Sequence, residues 1–140
     1  MVEPSRARAT RKEPHMLTDE PVIPILLATD LAASRRFYEE VLGLTVQQAS
    51  DSTVTYAWGG QPRLRLSASE DRTKDSQTQL TWIVPDVRRT VAELRARGAR
   101  FEEYDTDELK TEDGVADQGE AYVAWLTDPG KNVIGIETPK

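Results

Sequence analysis

The side chains able to do chemistry are few in this chain. Its 140 residues include no cysteine and a single histidine, His15. Disulfides, thiolate metal sites and a cysteine nucleophile are therefore excluded. His15 lies in the N-terminal segment, and the sequence has no GxSxG motif and no glycine-rich phosphate loop. Basic, aromatic and carboxylate chemistry is left.

Two arginines alternate with apolar residues over positions 63–68. Leu64 and Leu66 occupy one face of this predicted strand, whereas Arg63 and Arg65 occupy the other. Guanidinium groups form paired hydrogen bonds with carboxylates and phosphates, so the two arginines can clamp an oxyanion. A solvated strand face is the alternative interpretation.

Three tryptophans are spread over the two halves of the chain. Trp58 and Trp125 occupy similar places in repeated segments, YAW and VAW, where aromatic rings can either stack on a planar ligand or pack in the core. Trp82 alternates with Thr81 and Ile83, and this parity predicts that its ring packs under a helix.

The segment 105–120 is the most acidic part of the chain. It holds seven acidic residues against Lys110, and it shows no clear secondary structure. Loops of this length are often lids or binding loops, so closure over a binding site is one hypothesis. A mobile acidic surface loop is the other. Within it, Asp113-Gly114 is typical of a turn.

Two strand–helix units must position these side chains. In the first, a strand over 22–29 leads to Asp30 as an N-cap, a helix over 31–42 and a stop at Gly43. The second repeats the plan with a strand over 78–84, a cap at Asp86, a helix over 87–97 and a stop at Gly98. The caps are 56 residues apart, but the glycines fall one residue out of step.

The remaining strands complete two similar modules. They are predicted over 44–48, 52–58 and 63–68 in the first half, and over 99–104, 121–126 and 132–138 in the second. We therefore predict an α+β fold of two β-α-β-β-β modules. A flexible tail covers 1–20, and a single domain covers 21–139, with module one at 21–68, a linker at 69–77 and module two at 78–139.

Composition limits the partners. A net charge of −6 argues against a nucleic-acid or anionic membrane surface. No apolar run approaches the roughly 20 residues of a membrane span, and the basic N-terminus has no apolar segment of a signal peptide behind it. A cytoplasmic location is the expectation.

The paired pattern resembles the vicinal oxygen chelate superfamily, which includes glyoxalase I, bleomycin-resistance proteins and extradiol dioxygenases. The matching residues are Thr29-Asp30-Leu31, Phe37-Tyr38, Leu42-Gly43-Leu44, Pro85-Asp86-Val87, Leu94, Gly98 and Asp128-Pro129-Gly130-Lys131-Asn132. The resemblance implies that two modules form a curved mixed-sheet cup, and it implies a homodimer.

In metal-dependent members of this superfamily, ligands lie at four positions facing the cup. Here the resemblance places Ile23, Arg65, Gln79 and Gly135 at those positions. Ile23 and Gly135 carry no donor atom, Arg65 is a permanent cation, and only the Gln79 amide oxygen is a weak ligand. We therefore predict no metal and no cofactor, and the catalytic residues, if any, are unknown.

A cup without metal is a concave pocket for a small molecule. By strand parity its inner face carries Ile23, Ile25, Arg63, Arg65, Gln79, Thr81 and Ile83, and the predicted ligand-binding residues are Ile23, Trp58, Arg63, Arg65, Gln79, Thr81, Trp125 and Gly135. The first hypothesis is a bleomycin-resistance-like protein that sequesters an aromatic or antibiotic-like ligand. A lyase, an isomerase or a dioxygenase-related enzyme with an altered site is the alternative. A structural or regulatory dimer, with the basic tail as a docking arm, is the third.

Overall fold

The structure, a computed structural model, describes residues 14–140 and confirms the α+β class. Module one forms a four-stranded sheet of order β1-β4-β3-β2, and module two forms a five-stranded sheet of order β5-β9-β8-β7-β6. The strands are β1 Ile25–Ala28, β2 Val46–Ala49, β3 Thr53–Trp58, β4 Gln61–Ala68, β5 Thr78–Ile83, β6 Thr111–Glu112, β7 Val115–Asp117, β8 Ala121–Thr127 and β9 Val133–Pro139.

Both helices begin at the predicted caps. Helix α1 spans Leu31–Arg36, and the Asp30 carboxylate accepts a hydrogen bond of 3.0 Å from the Ala33 amide. Helix α2 spans Val87–Ala96, and Asp86 accepts bonds from two first-turn amides. The glycines that follow, Gly43 and Gly98, have φ of 78° and 103°, the left-handed conformation that ends a helix.

A π-helical turn over Phe37–Val41 continues α1. The Leu42 amide donates to the Phe37 carbonyl five residues back, at 3.0 Å, so the turn takes in one residue more than an α-helical turn would. This extra residue explains why the two helix-ending glycines are 55 residues apart whereas the two caps are 56 apart.

One core lies between the sheets and the helices. Strand parity correctly predicts its composition in module one, because Leu64 and Leu66 are buried while Ile25, on the opposite face, is 55% exposed. In module two, Val87, Val91 and Leu94 face inward from α2, as predicted. The helices therefore cover one face of each sheet and leave the other face accessible.

Two predictions for module two are wrong. Residues 99–104 do not form a strand, since only Phe101 pairs with β8, through Leu126. The segment 105–120 is not structureless, because β6 and β7 form a hairpin in it whose buried residues Val115 and Ala116 pair with β8. Residues 115–117 of β7 therefore form the ladder with residues 122–124 of β8, beside the single bridge from Phe101. The turn at Asp113-Gly114 is confirmed, and both residues have positive φ.

The predicted flexible tail over 1–20 lies largely outside the described residues, which begin at 14. Within its last part, Leu17–Asp19 forms a short 3₁₀ turn, and His15 contacts Glu20 at 2.7 Å. Among residues 14–140, no helix has the length and apolar character to cross a membrane.

Candidate functional site

Strand register makes the two modules comparable residue by residue. Arg65 lies between Ile25 and Thr55 in the first sheet, and Gly135 lies between Thr81 and Trp125 in the second. Arg65 and Gly135 are thus equivalent. Towards the hairpin turns, Trp58 at the end of β3 corresponds to Asp128, which follows β8. Their partners across the turn, Gln61 and Asn132, correspond to each other in the same way.

The two hairpin turns each contact the other module, and they do so with different chemistry. The junction made by the β8–β9 turn, which we call the polar junction, consists of Leu27, Tyr38, Asp128 and Asn132. The buried Asp128 carboxylate accepts hydrogen bonds from the Tyr38 hydroxyl at 2.6 Å and from the Asn132 amide nitrogens at 2.8 and 2.9 Å. The Asn132 side chain also donates to the Leu27 carbonyl at 2.9 Å. This network joins α1 and β1 to module two.

The close approach at the polar junction depends on a glycine. A Cβ atom at Gly130 would lie 2.6 Å from the Leu27 carbonyl oxygen, which is closer than such atoms approach. Burial, followed by the nearby Asp128 charge, raises the pKa of Tyr38 well above its ordinary value, so its hydroxyl keeps its proton and donates it to Asp128.

The junction made by the β3–β4 turn, which we call the aromatic junction, consists of Trp58, Trp82 and Leu94. The two indole rings lie 6.0 Å apart between centroids and are tilted by 32°. In the internal repeat, Trp58 of module one is equivalent to Asp128 of module two, and Leu94 of module two is equivalent to Tyr38 of module one. Trp58 is 37% exposed, whereas Asp128 is buried.

A cleft of about 350 Å³ opens beside the aromatic junction. It lies where the start of β1, the β3–β4 hairpin and β5 approach one another. Its walls are mainly apolar and aromatic, and they are formed by Val22, Pro24, Trp58, Arg63, Leu64, Leu80, Thr81, Trp82 and Ile83. Such walls, with few polar groups, are typical of small-molecule sites.

Arg63 supplies the positive charge of the cleft, whose lining includes no acidic residue among those described. Its Nε atom donates to the Trp58 backbone carbonyl at 3.1 Å, which anchors the guanidinium to the end of β3. No carboxylate within residues 14–140 forms an ion pair with it, so its outer nitrogens are available to an oxyanion. Thr81 adds a hydroxyl group.

The predicted site residues divide into groups. Three of them, Trp58, Arg63 and Thr81, line the cleft, and Ile23 lies between the lining residues Val22 and Pro24. The other four are placed on the strands away from the lining: Arg65, Gln79, Trp125 and Gly135.

These four side chains have other surroundings. Arg65 donates from Nε to the Thr55 hydroxyl at 2.9 Å, and the Gln79 side chain donates to the Gln77 carbonyl. Gly135 is a neighbour of Thr81 on the sheet, and a Cβ there would lie 2.7 Å from the Thr81 hydroxyl oxygen. Trp125 packs edge-on against Tyr104 at 5.6 Å. Arg63 and Arg65 therefore have different neighbours, and only Arg63 lines the cleft.

Two hypotheses about the site are wrong. Register makes Thr55 the counterpart of Trp125, so Trp58 and Trp125 are not equivalent. The acidic segment does not lie over the cleft either. Its hairpin forms the edge of the sheet opposite to β5, with β8 and β9 in between, and the cleft is at β5.

The donor atoms present do not fit a divalent metal. Ile23, Arg65 and Gly135 offer no ligand atom, and the Gln79 amide oxygen is a single weak donor. Among residues 14–140 no three His, Asp or Glu side chains are grouped where they could hold an ion. The residues at these four positions therefore do not supply the ligand set that the resemblance predicts for a metal-dependent member.

Sequence reasoning missed one role of Trp82. Parity correctly predicts that Trp82 packs on the core, but its ring also borders the cleft. Val22 and Pro24, which precede β1, also line the cleft, and nothing in the sequence indicated this. Glu137 lies opposite Ile83 and two residues beyond Gly135, so its half-buried carboxylate shares the open face of the second sheet with Thr81.

Comparison with known proteins identifies the family. Residues 24–134 match the model of the glyoxalase-like domain. The chain therefore belongs to the glyoxalase-like domain family, within the vicinal oxygen chelate superfamily. No curated protein matches significantly.

Solved structures share the fold at low identity. A glyoxalase/bleomycin resistance protein/dioxygenase from Alicyclobacillus acidocaldarius has a TM-score of 0.65 and 17% identity, over 86% of this chain and 92% of that one. A glyoxalase family protein from Enterococcus faecalis gives 0.65 and 18%, over 87% and 99%. A lactoylglutathione lyase from Agrobacterium tumefaciens gives 0.60 and 18%, over 85% and 92%.

Proposed function

We propose that this protein binds and sequesters a small aromatic or antibiotic-like molecule that carries an anionic group, without using a metal. The supporting observation is the cleft itself, whose lining includes both the partly exposed Trp58 and Arg63. A flat ring can stack on the indole while a carboxylate pairs with the guanidinium. Because one fold can have many functions, the function is inferred from the residues of this cleft and not from the family.

Tryptophan fluorescence tests the proposal. We expect saturable quenching by aromatic carboxylates in a panel that also contains antibiotics, with weaker quenching by the matched neutral amides. Arg63→Gln should weaken carboxylate binding by about tenfold, because it removes a charge-assisted hydrogen bond worth roughly 1.5 kcal/mol. Arg100→Gln, at an exposed arginine outside the cleft, is the matched control. Absence of quenching by every compound would rule the proposal out.

An enzymatic alternative has one supporting feature, the Glu137 carboxylate on the open face of the second sheet. A carboxylate there can serve a lyase or isomerase as a general base without metal. The two functions are separated by mass spectrometry of a quenching ligand after long incubation. A sequestering protein returns the ligand unchanged, whereas a converted ligand identifies an enzyme, and Glu137→Gln should then abolish the conversion.

We also infer a homodimer in the cytoplasm. Apolar side chains are exposed on β1 and β5, each of which has a free edge, and Ile83 is 70% exposed. Burial of such side chains against a second copy is favourable. Analytical ultracentrifugation should give a dimer, and Ile83→Asp should shift it towards monomer. A wild-type monomer at all concentrations would contradict the inference. The cytoplasmic location stays a prediction from the cysteine-free composition.

A further inference from the structure

A second pocket lies behind the aromatic junction. It has a volume of about 140 Å³ and lies on the helix side of the second sheet, away from the cleft. We call it the helix-side pocket, and it is lined by Leu42, Leu44, Trp82, Val84, Thr90, Leu94 and Ile136. Trp82 is the one lining residue that it shares with the cleft, so the indole separates the two spaces.

The repeat explains why the pocket exists. Five of its lining residues have counterparts in module one, where the same positions carry Leu26, Ala28, Ser34, Tyr38 and Leu66. In module one the space is occupied by the Tyr38 ring, which is fully buried and sits at an edge-on distance of 5.1 Å from Phe37. Module two has Leu94 at this position. Leu94 carries no ring here, and although Trp82, Val84 and Thr90 are larger than their counterparts, a pocket of about 140 Å³ remains.

The size and lining of the pocket suit one aromatic ring. A volume of this order, roughly 150 Å³, accepts one benzene-sized ring where the walls are apolar. The polar side-chain groups in the lining are the Thr90 hydroxyl, at the counterpart of Ser34, and the Trp82 indole N–H. A ring that bears a hydroxyl group can therefore place its apolar edges against Leu94 and Ile136 and pair its oxygen with Thr90.

We propose that the helix-side pocket is a second ligand site, for a one-ring aromatic molecule of the phenol class. The bound ring takes the place that Tyr38 takes in module one. The two sites share Trp82, but the lining of the helix-side pocket contains no charged group, so phenol binding there does not rest on the anion pairing proposed for the cleft.

Methyl-resolved NMR with phenol as the probe tests the site. We expect saturable shifts, with a dissociation constant in the millimolar range, at the methyl groups of Leu42, Leu94 and Ile136. Ile83, which lines the cleft only, should shift much less. Thr90→Val should weaken phenol binding severalfold while toluene binding stays within twofold, since only phenol uses the hydroxyl group.

Filling and enlarging the pocket give opposite results. Leu94→Tyr should abolish the phenol response of Ile136, and Leu94→Ala should accept the larger indole more tightly than the wild type does. The enlarged variant keeps the test decisive if the tyrosine variant fails to fold. Leu109→Tyr, on the far side of the second sheet, is the control and should leave phenol binding unchanged.

Three results would overturn the proposal. One is the absence of saturable shifts at Leu94 and Ile136 with both phenol and toluene. Another is an unchanged phenol response in a folded Leu94→Tyr variant. The third is methyl shifts that follow dilution of the protein rather than addition of phenol, since a second copy of the chain would then cover the pocket.

Discussion

The polar junction and the aromatic junction occupy equivalent places in a repeated fold, yet they leave very different surroundings. At the polar junction, a tyrosine, an aspartate and an asparagine satisfy one another, and each of the three is buried. At the aromatic junction, two tilted indoles meet and a cavity opens on either side of Trp82. Flat rings crossing at an angle fill space less completely than interlocking side chains of varied shape.

The difference indicates that the polar junction stabilises the arrangement of the modules, whereas the aromatic junction provides surface for binding. The polar junction fixes how the two modules sit, because its hydrogen bonds are buried and leave little freedom of geometry. The aromatic junction can then carry exposed apolar surface for ligands without loss of the arrangement. Perturbing the polar junction should therefore affect stability, whereas perturbing the aromatic junction should affect binding.

The largest effect is expected from Asp128→Ala. This change leaves the Tyr38 hydroxyl buried without its acceptor and removes one of the two acceptors of the Asn132 side chain, and the loss of a buried partner costs roughly 1–3 kcal/mol. We expect the free energy of unfolding, measured in urea, to fall by about 3 kcal/mol. Gln61→Ala, at the exposed counterpart of Asn132, should change it by less than about 0.5 kcal/mol. Equal losses in the two variants would show that the junctions do not differ in this way.

A smaller effect is expected in alkaline solution. Because the pKa of Tyr38 is raised in the folded chain, the unfolded chain releases the proton first, above its ordinary pKa of about 10. The free energy of unfolding should therefore fall as pH rises above this value, with Tyr38 contributing about 1.4 kcal/mol per pH unit.

The Tyr38→Phe variant isolates this contribution. Tyr56 and Tyr104, whose pKa values are also raised by burial, titrate in both proteins and cancel in the difference. We expect the variant to show a shallower decline of stability between about pH 9 and pH 11. Identical slopes would mean that the Tyr38 proton is not held by the polar junction.

The smallest effect concerns Ser34, the counterpart of Thr90. Its hydroxyl oxygen is buried and has no hydrogen-bond partner among the described residues. Ser34→Ala removes this polar atom and improves the helix propensity of α1, so it should stabilise the protein by roughly 0.5–1 kcal/mol. A rise in the midpoint of thermal unfolding would confirm this, whereas a fall would show that the hydroxyl is paired in solution.

Local signals predicted the framework well. Asp30 and Asp86 marked the helix starts because their side chains cap amides within three residues, which is a purely local interaction. Alternation in β4 predicted which of its side chains are buried. The strand predicted over residues 99–104 is wrong because only Phe101 bridges to β8, whereas β7 forms the neighbouring ladder.

The site was less predictable for a physical reason. Parity assigns a side chain to one face of a sheet, but it does not report how two sheets approach each other. Arg63 and Arg65 share a face and still have different neighbours, since only Arg63 lies near the hairpin end that reaches module two. Trp82 was assigned to the core correctly, yet its ring extends to the boundary between modules, where β5 has a free edge.

The π-helical turn in α1 has a consequence for how such a chain can change over evolutionary time. It accommodates one extra residue between Asp30 and Gly43 while the strands before and after it keep their pairing. One residue can thus be inserted in the helix of one module, because the π-helical turn absorbs it and the register of the strands stays the same. The two halves of a duplicated gene can in this way diverge in length at a helix and still assemble on the same plan.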